Sequence, residues 1–360
     1  MTTPVFTPAA LTPAELDALT VGREALFTKL VRRIVGAARD GSRPHTLLVA
    51  PRGGGKTHTL HVAVNRALAD PETAKNVLPV FIPEDALAIG SYLDMLVEIA
   101  RVIGIAQPAQ AMRRDKDAIG IEQAILAVAA DRMVLLAIEN LDRVFDSLGS
   151  DGQGNLRAWV ETSTSVTLLA SSPALFPGVS SRSFPWYGSF MVETLPDLEL
   201  PDAVAIVAAA ARRRGANDLA AYIESPTGAR SLDAIRRIVG GVPRQWHQLA
   251  QFADVATLEA VTPAVDALLD SLVPNYQRQL GELSPGEQRL VVELSRTDRP
   301  RTVSDLAAAV GVSNQSAATA LGRLSASRWV TSAKNANDRR STWYDLTDPL
   351  LRQVLKHRDR

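Results

Sequence analysis

The chain has 360 residues, of which 46% are hydrophobic, 39 are basic, 39 are acidic and none is cysteine. At roughly 100–200 residues per domain this length predicts two or three domains, and apolar residues in periodic runs exclude a wholly disordered chain. The lack of cysteine excludes disulfides, thiolate metal sites and a cysteine nucleophile.

The zero net charge is a cancellation between regions of opposite sign. Residues 281–360 carry 13 basic and 9 acidic side chains, whereas the other 280 residues carry 26 basic and 30 acidic ones. A mildly acidic body therefore precedes a mildly basic C-terminal region, and neutrality alone does not exclude a nucleic-acid partner.

No stretch of the sequence predicts a membrane span or a secretory signal. The longest apolar runs fall far short of the ~20 residues that cross a bilayer. The N-terminal residues lack the basic segment that begins a signal peptide. We therefore expect a cytoplasmic protein without a membrane partner.

Apolar strands and helical spacing alternate over the first half of the chain. Strands are predicted at 46–50, 77–82, 133–138, 166–170 and 190–194, and helices at 24–38, 57–68, 91–105 and 119–130. This alternation predicts a parallel sheet with helices on both faces.

The second half of the chain has a different pattern. Helical spacing alone continues from 201 to about 273, and from 284 three short helices precede two β-prone segments around a polar turn. The predicted divisions are an N-terminal arm at 1–20, a core at 21–196, a helical lid at 197–280 and a C-terminal module at 281–360.

The segment Ala50-Pro-Arg-Gly-Gly-Gly-Lys-Thr57, between a strand and a helix, is typical of a phosphate-binding P-loop. Its glycines let the backbone aim N–H groups at phosphate oxygens, and the following helix presents its positive end. Lys56 is expected to reach the β- and γ-phosphates, and Thr57 the Mg²⁺ ion. Ala50 departs from the pattern, which has glycine there. The predicted nucleotide-binding residues of this segment are Pro51, Arg52, Gly53, Gly54, Gly55, Lys56, Thr57 and His58.

The alternative for this segment is a plain glycine turn between strand and helix. The Lys-Thr pair and the preceding apolar strand favour nucleotide binding. His58 follows on the helix, where packing is the alternative to nucleotide contact.

A second strand ends in acidic residues, at Val134-Leu-Leu-Ala-Ile-Glu-Asn-Leu-Asp142. Glu139 is predicted to hold Mg²⁺ through water. Asn140 stands where a catalytic base is usual, and an amide does not accept the proton. Asp142 is the candidate substitute, and the alternative is that these acids only end a strand and open a helix. The pattern predicts tight ATP binding with slow hydrolysis.

Five segments in this order resemble the AAA+ and STAND-type ATPases, particularly the origin-recognition-like branch with a C-terminal winged helix. They are Val21-Gly-Arg-Glu24, Ala50–Thr57, Ile138–Arg143, Thr167–Ser172 and Gly241-Val-Pro-Arg244. The resemblance covers nearly the whole chain. It implies an α/β fold with a parallel-sheet P-loop (ASCE/AAA+) ATPase core, an all-helical lid and a C-terminal winged helix-turn-helix.

The resemblance also implies roles for residues outside the P-loop. Ser171 or Ser172 matches sensor 1, at the polar end of the fourth strand. Arg244 matches sensor 2, which would offer a guanidinium to the γ-phosphate. The candidate catalytic residues are thus Lys56, Glu139, Asn140, Asp142 and Arg244. The residues expected against the adenine are Val21, Gly22 and Arg23.

Members of this family often complete the site with an arginine from a neighbouring subunit, so a homo-oligomer or a partner protein is expected. Arg182, just before the fifth strand, is one candidate for that arginine. Arg143 and Arg157 are the alternatives.

The sequence pattern of residues 284–360 predicts a winged helix, and this region resembles the MarR type. Ser284, with Glu287 three residues on, predicts a capping box at the first helix. A tight turn at Gly311 separates the second and third helices, as in a helix-turn-helix, and Arg299 and Arg301 flank the second helix as phosphate contacts. The residues predicted to contact DNA are Asn314, Gln315, Ser316, Thr319, Arg323, Lys334, Arg339 and Arg340.

The leading hypothesis is an ATPase, with ATP/ADP and Mg²⁺ as cofactors, that acts as a nucleotide-controlled switch on duplex DNA. One alternative is a STAND-type signalling or defence ATPase whose winged helix is a protein-interaction module. The other is a pseudo-ATPase scaffold that binds nucleotide only for stability.

Overall fold

The structure is a computed structural model that describes residues 11–84, 89–163, 165–327, 329–334 and 342–358. The chain divides into two compact units, Met1–Asp197 and Leu198–Arg360, called here unit 1 and unit 2. The stretches predicted as the helical lid and as the winged helix fall together in unit 2.

Unit 1 is an α/β unit around one parallel sheet. The strand order is β2-β3-β4-β1-β5, and every neighbouring pair is parallel. Its elements are α1 (Pro13–Ala18), α2 (Glu24–Asp40), β1 (Thr46–Val49), α3 (Lys56–Leu68), α4 (Pro71–Asn76), β2 (Val77–Ile82), α5 (Tyr92–Val102), α6 (Ala106–Arg114), α7 (Ala118–Ala129), β3 (Met133–Ile138), α8 (Leu141–Ser163), β4 (Val166–Ser172), α9 (Pro177–Ser180) and β5 (Met191–Thr194). The five predicted strands and their parallel arrangement are confirmed.

The core of unit 1 lies on both faces of this sheet. Every residue of β3 and β4 is buried. Strand β3 is a continuous apolar run, as burial on both faces favours, and β4 is apolar except for Thr167, Ser171 and Ser172. Successive side chains alternate between faces. Leu136 packs with α5, α7 and α8 on one face, and its neighbour Leu135 packs with α2 and α3 on the other.

Residues 11–20, predicted as part of an arm, contain a short helix. Thr12 begins α1 with a reciprocal capping box to Glu15. Leu16 is only 2% exposed and packs with Phe27 of α2 and Val62 of α3. A helix of six residues has too few apolar positions for its period to be visible in the sequence, and this packing on unit 1 is what holds it.

The described residues of unit 2 form helices and one small antiparallel sheet of order β6-β8-β7. Its elements are α10 (Leu200–Arg213), α11 (Asn217–Glu224), α12 (Pro226–Val239), α13 (Pro243–Phe252), α14 (Val255–Ala260), α15 (Thr262–Gly281), α16 (Pro285–Ser295), β6 (Arg301–Thr302), α17 (Val303–Val310), α18 (Asn314–Ala326), β7 (Val330–Lys334), β8 (Thr342–Leu346) and α19 (Pro349–Arg358).

The C-terminal part of unit 2 is a winged helix, as predicted. Ser284 and Glu287 form the expected capping box at α16. Gly311, at φ 72°, ends α17 in the left-handed conformation that glycine favours, and α18 follows. Leu321 and Leu324 of α18 face inward and are fully buried. Helix α19, which the sequence pattern did not indicate, packs on α15 and α16.

In the described part of the chain, no helix combines the length and apolar character that a membrane crossing requires.

Candidate functional site

The loop between β1 and α3 has the backbone shape that phosphate binding needs. Gly53 and Gly55 adopt left-handed conformations at φ 80° and 86°, which side chains with a Cβ disfavour. The Gly54 N–H donates to the Pro51 carbonyl at 3.0 Å and closes the turn. Helix α3 then begins at Lys56, so its positive N-terminal end faces the loop.

Ala50, where the P-loop pattern has glycine, fits because of a second glycine. Ala50 is buried, and a Cβ built on Gly54 would lie 2.8 Å from the Ala50 Cβ and 2.9 Å from the Pro51 carbonyl oxygen. The missing Cβ of Gly54 therefore gives the Ala50 methyl its space. This compensation depends on a contact across the turn, which the sequence pattern does not show.

The remaining side chains of the loop differ in their exposure. Lys56 Nζ donates to the carbonyls of Ala50 at 2.8 Å and Pro51 at 3.1 Å, so the ammonium lies against the loop. Pro51 and Arg52 are exposed. The Arg52 guanidinium lies 3.5 Å from the carboxylate of Glu84, and both side chains are about half exposed.

Thr57 and Glu139, which lie 82 residues apart in sequence, meet at the carboxyl end of the sheet. The Thr57 hydroxyl donates to Glu139 Oε2 at 2.7 Å. Thr57 is in the first turn of α3, and Glu139 directly follows β3. A hydroxyl and a carboxylate are hard oxygen ligands of the kind Mg²⁺ prefers, so the pair fits the predicted metal site.

The backbone conformation of residue 140 explains why asparagine is found there. Its φ is 48°, in the left-handed region where asparagine is enriched among residues with a Cβ. The Arg143 N–H donates to the Asn140 carbonyl at 2.9 Å, so this residue turns the chain from β3 into α8. Asp142 follows in the first turn of α8, where a helix N-terminus favours an acidic side chain.

The sensor 1 candidates lie on β4, between the P-loop strand and the acidic strand. Ser171 and Ser172 pair in register with Leu48 and Val49 of β1, and both are buried. The Ser172 hydroxyl donates to the Ala174 carbonyl at 2.7 Å. The Ala50 N–H donates to the Ser172 carbonyl at 3.3 Å, which brings the end of β4 beside the start of the loop.

The segment predicted against the adenine borders the P-loop. Gly22 and Arg23 have positive φ values of 67° and 62°, and they turn the chain into α2. Arg23 Nη1 donates to the Gly54 carbonyl at 2.8 Å, and its Nε donates to the Pro196 carbonyl at 3.0 Å. Val21 is partly buried beside them. The guanidinium thus links the P-loop to the last residues of unit 1.

His58, predicted as a nucleotide contact, makes its observed bond to the segment before α2. Its Nε2 lies 2.9 Å from Thr20 Oγ1. Burial, the largest cause, and the charge of the nearby Arg23 guanidinium together lower the pKa of His58 to about 4. The ring is therefore neutral at physiological pH. The Thr20 contact was not foreseen from the sequence.

The remaining arginines stand in different parts of the chain. Arg244 lies in the first turn of α13 in unit 2. Burial raises the pKa of Tyr276 in α15, and the charge of Arg244 partly opposes this rise. Arg182 lies 5.9 Å above the ring of Tyr187 in a cation–π contact. Arg143 is exposed on α8, and Arg157 is partly buried there.

The predicted DNA-contacting face of α18 is exposed. Ser313 caps the helix through the Ser316 N–H, and the Thr319 hydroxyl donates to the Gln315 carbonyl at 2.9 Å. Arg323 is also exposed, but its Nε donates to Glu287 of α16 at 2.7 Å. A contact of Arg323 with a base would have to replace this ion pair. The exposed residues of this face are Asn314, Gln315, Ser316, Thr319 and Arg323.

The predicted wing is described only in part. The backbone of Lys334 ends β7, whereas Arg339 and Arg340 lie outside the described residues. Arg299 is exposed. Arg301 Nη1 donates to Glu293 at 2.5 Å, so a phosphate at Arg301 would compete with that carboxylate.

Side-chain bonds join α15 to the winged helix within unit 2. The Tyr276 hydroxyl of α15 donates to Asp348, which precedes α19. His357 of α19 lies 2.9 Å from Asp270 and 3.4 Å from Asp266, both on α15. These bonds cross about 70–90 residues of sequence, which is why neither motif nor periodicity predicted them.

One comparison with known proteins concerns the C-terminal module, and the others concern nearly the whole chain. A sequence model of the MarR family matches residues 283–341. A solved Walker-type ATPase of Pyrococcus abyssi is similar at a TM-score of 0.61 and 13% identity, over 94% of this chain and 96% of that one. The Aeropyrum pernix ORC2 protein, solved in ADPNP–ADP complexes, is similar at 0.61 and 14% identity, over 94% and 93%. No curated protein sequence matches the chain.

At these identities the similarity shows the fold. The chain has the fold of Walker-type and origin-recognition-like ATPases, with a MarR-type winged helix at its C-terminal end. The predicted fold class and the predicted resemblance are confirmed.

Proposed function

We propose that the chain binds ATP with Mg²⁺ at the P-loop, hydrolyses it slowly, and uses the bound nucleotide to control duplex DNA binding by its winged helix. The observation that carries the nucleotide site is the Thr57–Glu139 hydrogen bond of 2.7 Å beside the P-loop. This bond supports a metal position at the N-terminal end of α3, the helix that begins with Lys56.

The parts of the site have separate tasks in this proposal. The N–H groups of the loop and the N-terminus of α3 bind the phosphates, and Lys56 exchanges its carbonyl contacts for phosphate oxygens. Thr57 and Glu139 would hold Mg²⁺, which neutralises charge on the β- and γ-phosphates when bound. In the proposal Arg23 fixes the adenine segment, Ser171 and Arg244 sense the γ-phosphate, and a second copy of the chain supplies an arginine.

Slow hydrolysis follows from the side chain that succeeds Glu139. Asn140 cannot take a proton from the attacking water, and general-base catalysis is worth about 10²–10⁴-fold. The long life of the ATP state suits a switch better than a motor.

DNA binding is supported by the winged helix and its charge. The N-terminal turn of α18 exposes Asn314 and Gln315, which can pair with adenine edges. Residues 281–360 carry a net charge of only +4, from 13 basic and 9 acidic side chains. This excess is small, so we expect several subunits or bound nucleotide to be needed for tight binding.

Replacing both wing arginines should weaken duplex binding in a salt-dependent way. The logarithm of the binding constant falls linearly with the logarithm of the salt concentration, and every cation that pairs with a DNA phosphate makes this slope steeper by about 0.9. The double variant Arg339→Ala with Arg340→Ala should therefore reduce the magnitude of this slope by about 2. Fluorescence anisotropy with a labelled duplex, over a series of salt concentrations, measures it.

The matched control for the wing is a double substitution in unit 1. Lys75 and Arg114 are exposed there, and Lys75→Ala with Arg114→Ala should leave the slope unchanged. Absence of duplex binding at low salt, or an equal effect of both double variants, would count against the DNA proposal.

One observation favours a second candidate function, the STAND-type switch. Helix α15 binds the winged helix through Tyr276–Asp348 and through His357 with Asp270. A winged helix held in this way can serve to maintain a closed state rather than to bind DNA. The same anisotropy series separates the candidates, since this switch predicts little duplex affinity at any salt concentration.

A further inference from the structure

A chain of hydrogen bonds runs from the first turn of α3 to helix α1. His58 Nε2 lies 2.9 Å from Thr20 Oγ1. The Thr20 hydroxyl donates its single hydrogen to the Leu16 carbonyl at 3.0 Å. Both contacts are hydrogen bonds at the same time when the Thr20 oxygen is the acceptor in the first one, with the hydrogen of the His58 ring on Nε2.

A second contact fixes the same segment further along α3. Arg66 donates to Asp17 at 2.6 Å and to Glu24 at 2.7 Å, so one guanidinium binds both the end of α1 and the start of α2. The Arg66 guanidinium carbon also lies 4.7 Å from the centre of the Phe27 ring. Residues 16–27 are thus attached to α3 at two levels, with His58 at the level of the P-loop.

Residues 16–27 lie next to the P-loop on one face of α3, and the Thr57–Glu139 pair lies on another face. Thr57 contacts Glu139, and His58 is one residue later, about 100° further around the helix. Arg23 reaches the Gly54 carbonyl from the segment's side. A nucleotide whose γ-phosphate lies near Thr57 and Glu139 has its base at the other end of the phosphates. Residues 20–23 contact the P-loop on the side that faces away from Thr57 and Glu139.

We propose that His58 is a positioning residue for recognition of the nucleotide base, acting through Thr20. Its N–H holds residues 20–23 at the depth where they meet the base, and it makes no contact with the phosphates. This inference rests on the proposed function. It assigns His58 a role in base affinity that is separate from the role of the P-loop.

Two ligands that share a triphosphate, of which only one carries a nucleoside, separate these roles. Isothermal titration with Mg-ATP and with inorganic triphosphate is carried out on the wild-type chain, His58→Ala and His58→Gln. We expect His58→Ala to weaken ATP binding about tenfold, the value of one good hydrogen bond. Its affinity for inorganic triphosphate should stay within twofold of wild type. His58→Gln keeps an N–H donor and should restore most of the ATP affinity.

A second variant tests the same bond from its other partner. Thr20→Val removes the acceptor oxygen and should repeat the His58→Ala pattern, which keeps the test valid if His58→Ala fails to fold. Thr28→Val is the matched control, because the Thr28 hydroxyl also donates to a carbonyl four residues back, at 2.9 Å on Glu24, and this bond lies within α2. Thr28→Val should leave both affinities unchanged.

The outcomes distinguish this inference from the proposed function. Equal loss of ATP and inorganic triphosphate affinity in His58→Ala would place the effect in the P-loop and overturn the inference. Unchanged ATP affinity in both His58→Ala and Thr20→Val would also overturn it. A wild-type chain that binds neither ligand would instead refute the proposed nucleotide site.

Discussion

Replacing Lys56 by Ala is expected to abolish the thermal stabilisation that ATP gives to the wild-type chain. At about 100 times the Kd, a ligand adds about 2.7 kcal/mol to the free energy of unfolding. For a unit of the size of Met1–Asp197 this corresponds to a rise in Tm of roughly 5–10 °C. The ammonium group of Lys56 lies against the carbonyls of Ala50 and Pro51, and without it the loop offers the β- and γ-phosphates no ammonium charge.

Differential scanning fluorimetry with and without Mg-ATP measures this effect. Lys75→Ala is the matched control, because Lys75 is an exposed lysine of the same unit at the end of α4. We expect Lys75→Ala to keep the full shift and Lys56→Ala to lose it. An ATP-induced shift of wild-type size in Lys56→Ala would show that the nucleotide does not bind at this loop.

Introducing a carboxylate at position 140 should raise the rate of ATP hydrolysis by about 10²-fold. Asn140→Glu places a carboxylate where the wild-type chain has an amide, and general-base catalysis contributes about 10²–10⁴-fold. The gain falls at the low end because glutamate tolerates the φ of 48° less well than asparagine. That strain should cost about 1 kcal/mol of stability.

Phosphate release at saturating Mg-ATP tests this prediction, with Asn140→Gln as the control. Glutamine has the length of glutamate and the same backbone strain but cannot take a proton. A rate for Asn140→Glu no higher than for Asn140→Gln would contradict it. Many turnovers per second in the wild-type chain would contradict slow hydrolysis, and a large loss in Asp142→Asn would then identify Asp142 as the base.

The sheet of unit 1 was predictable because its central strands are buried on both faces. A strand buried on both faces is typically a near-continuous apolar run, and 133–138 is such a run bounded by charged residues. The P-loop followed from composition, since glycines, lysine and threonine at fixed spacing have few other uses. The pairing of Thr57 with Glu139 could be expected because both lie at the carboxyl end of parallel strands.

Helix α8 was missed because its sequence resembles a loop. Residues 149–154 contain three glycines with serine and aspartate between them, a composition typical of turns. In the structure Gly149, at φ 62°, marks a kink between two helical stretches. Gln153 donates to the Phe145 carbonyl at 2.9 Å, and Trp186 donates to the Gln153 carbonyl at 3.1 Å. These tertiary contacts override the local preference.

The sequence could not predict the hydrogen bonds between side chains of elements that lie far apart in the chain. Thr20 lies 38 residues from His58, and Arg323 lies 36 residues from Glu287. Neither pair belongs to a motif or a helical period. The Arg323 bond also qualifies the sequence prediction for that residue, since a DNA contact must compete with a carboxylate already in place.

We propose that nucleotide binding and DNA binding are coupled, and one titration tests this coupling most directly. The Kd for a labelled duplex is measured with and without saturating Mg-ATP, on the wild-type chain and on Lys56→Ala. A coupling of about 1–3 kcal/mol corresponds to a 5- to 150-fold change in affinity. We predict at least a fivefold change in the wild-type chain and none in Lys56→Ala. An equal Kd with and without ATP in the wild-type chain, or a change that persists in Lys56→Ala, would contradict the account.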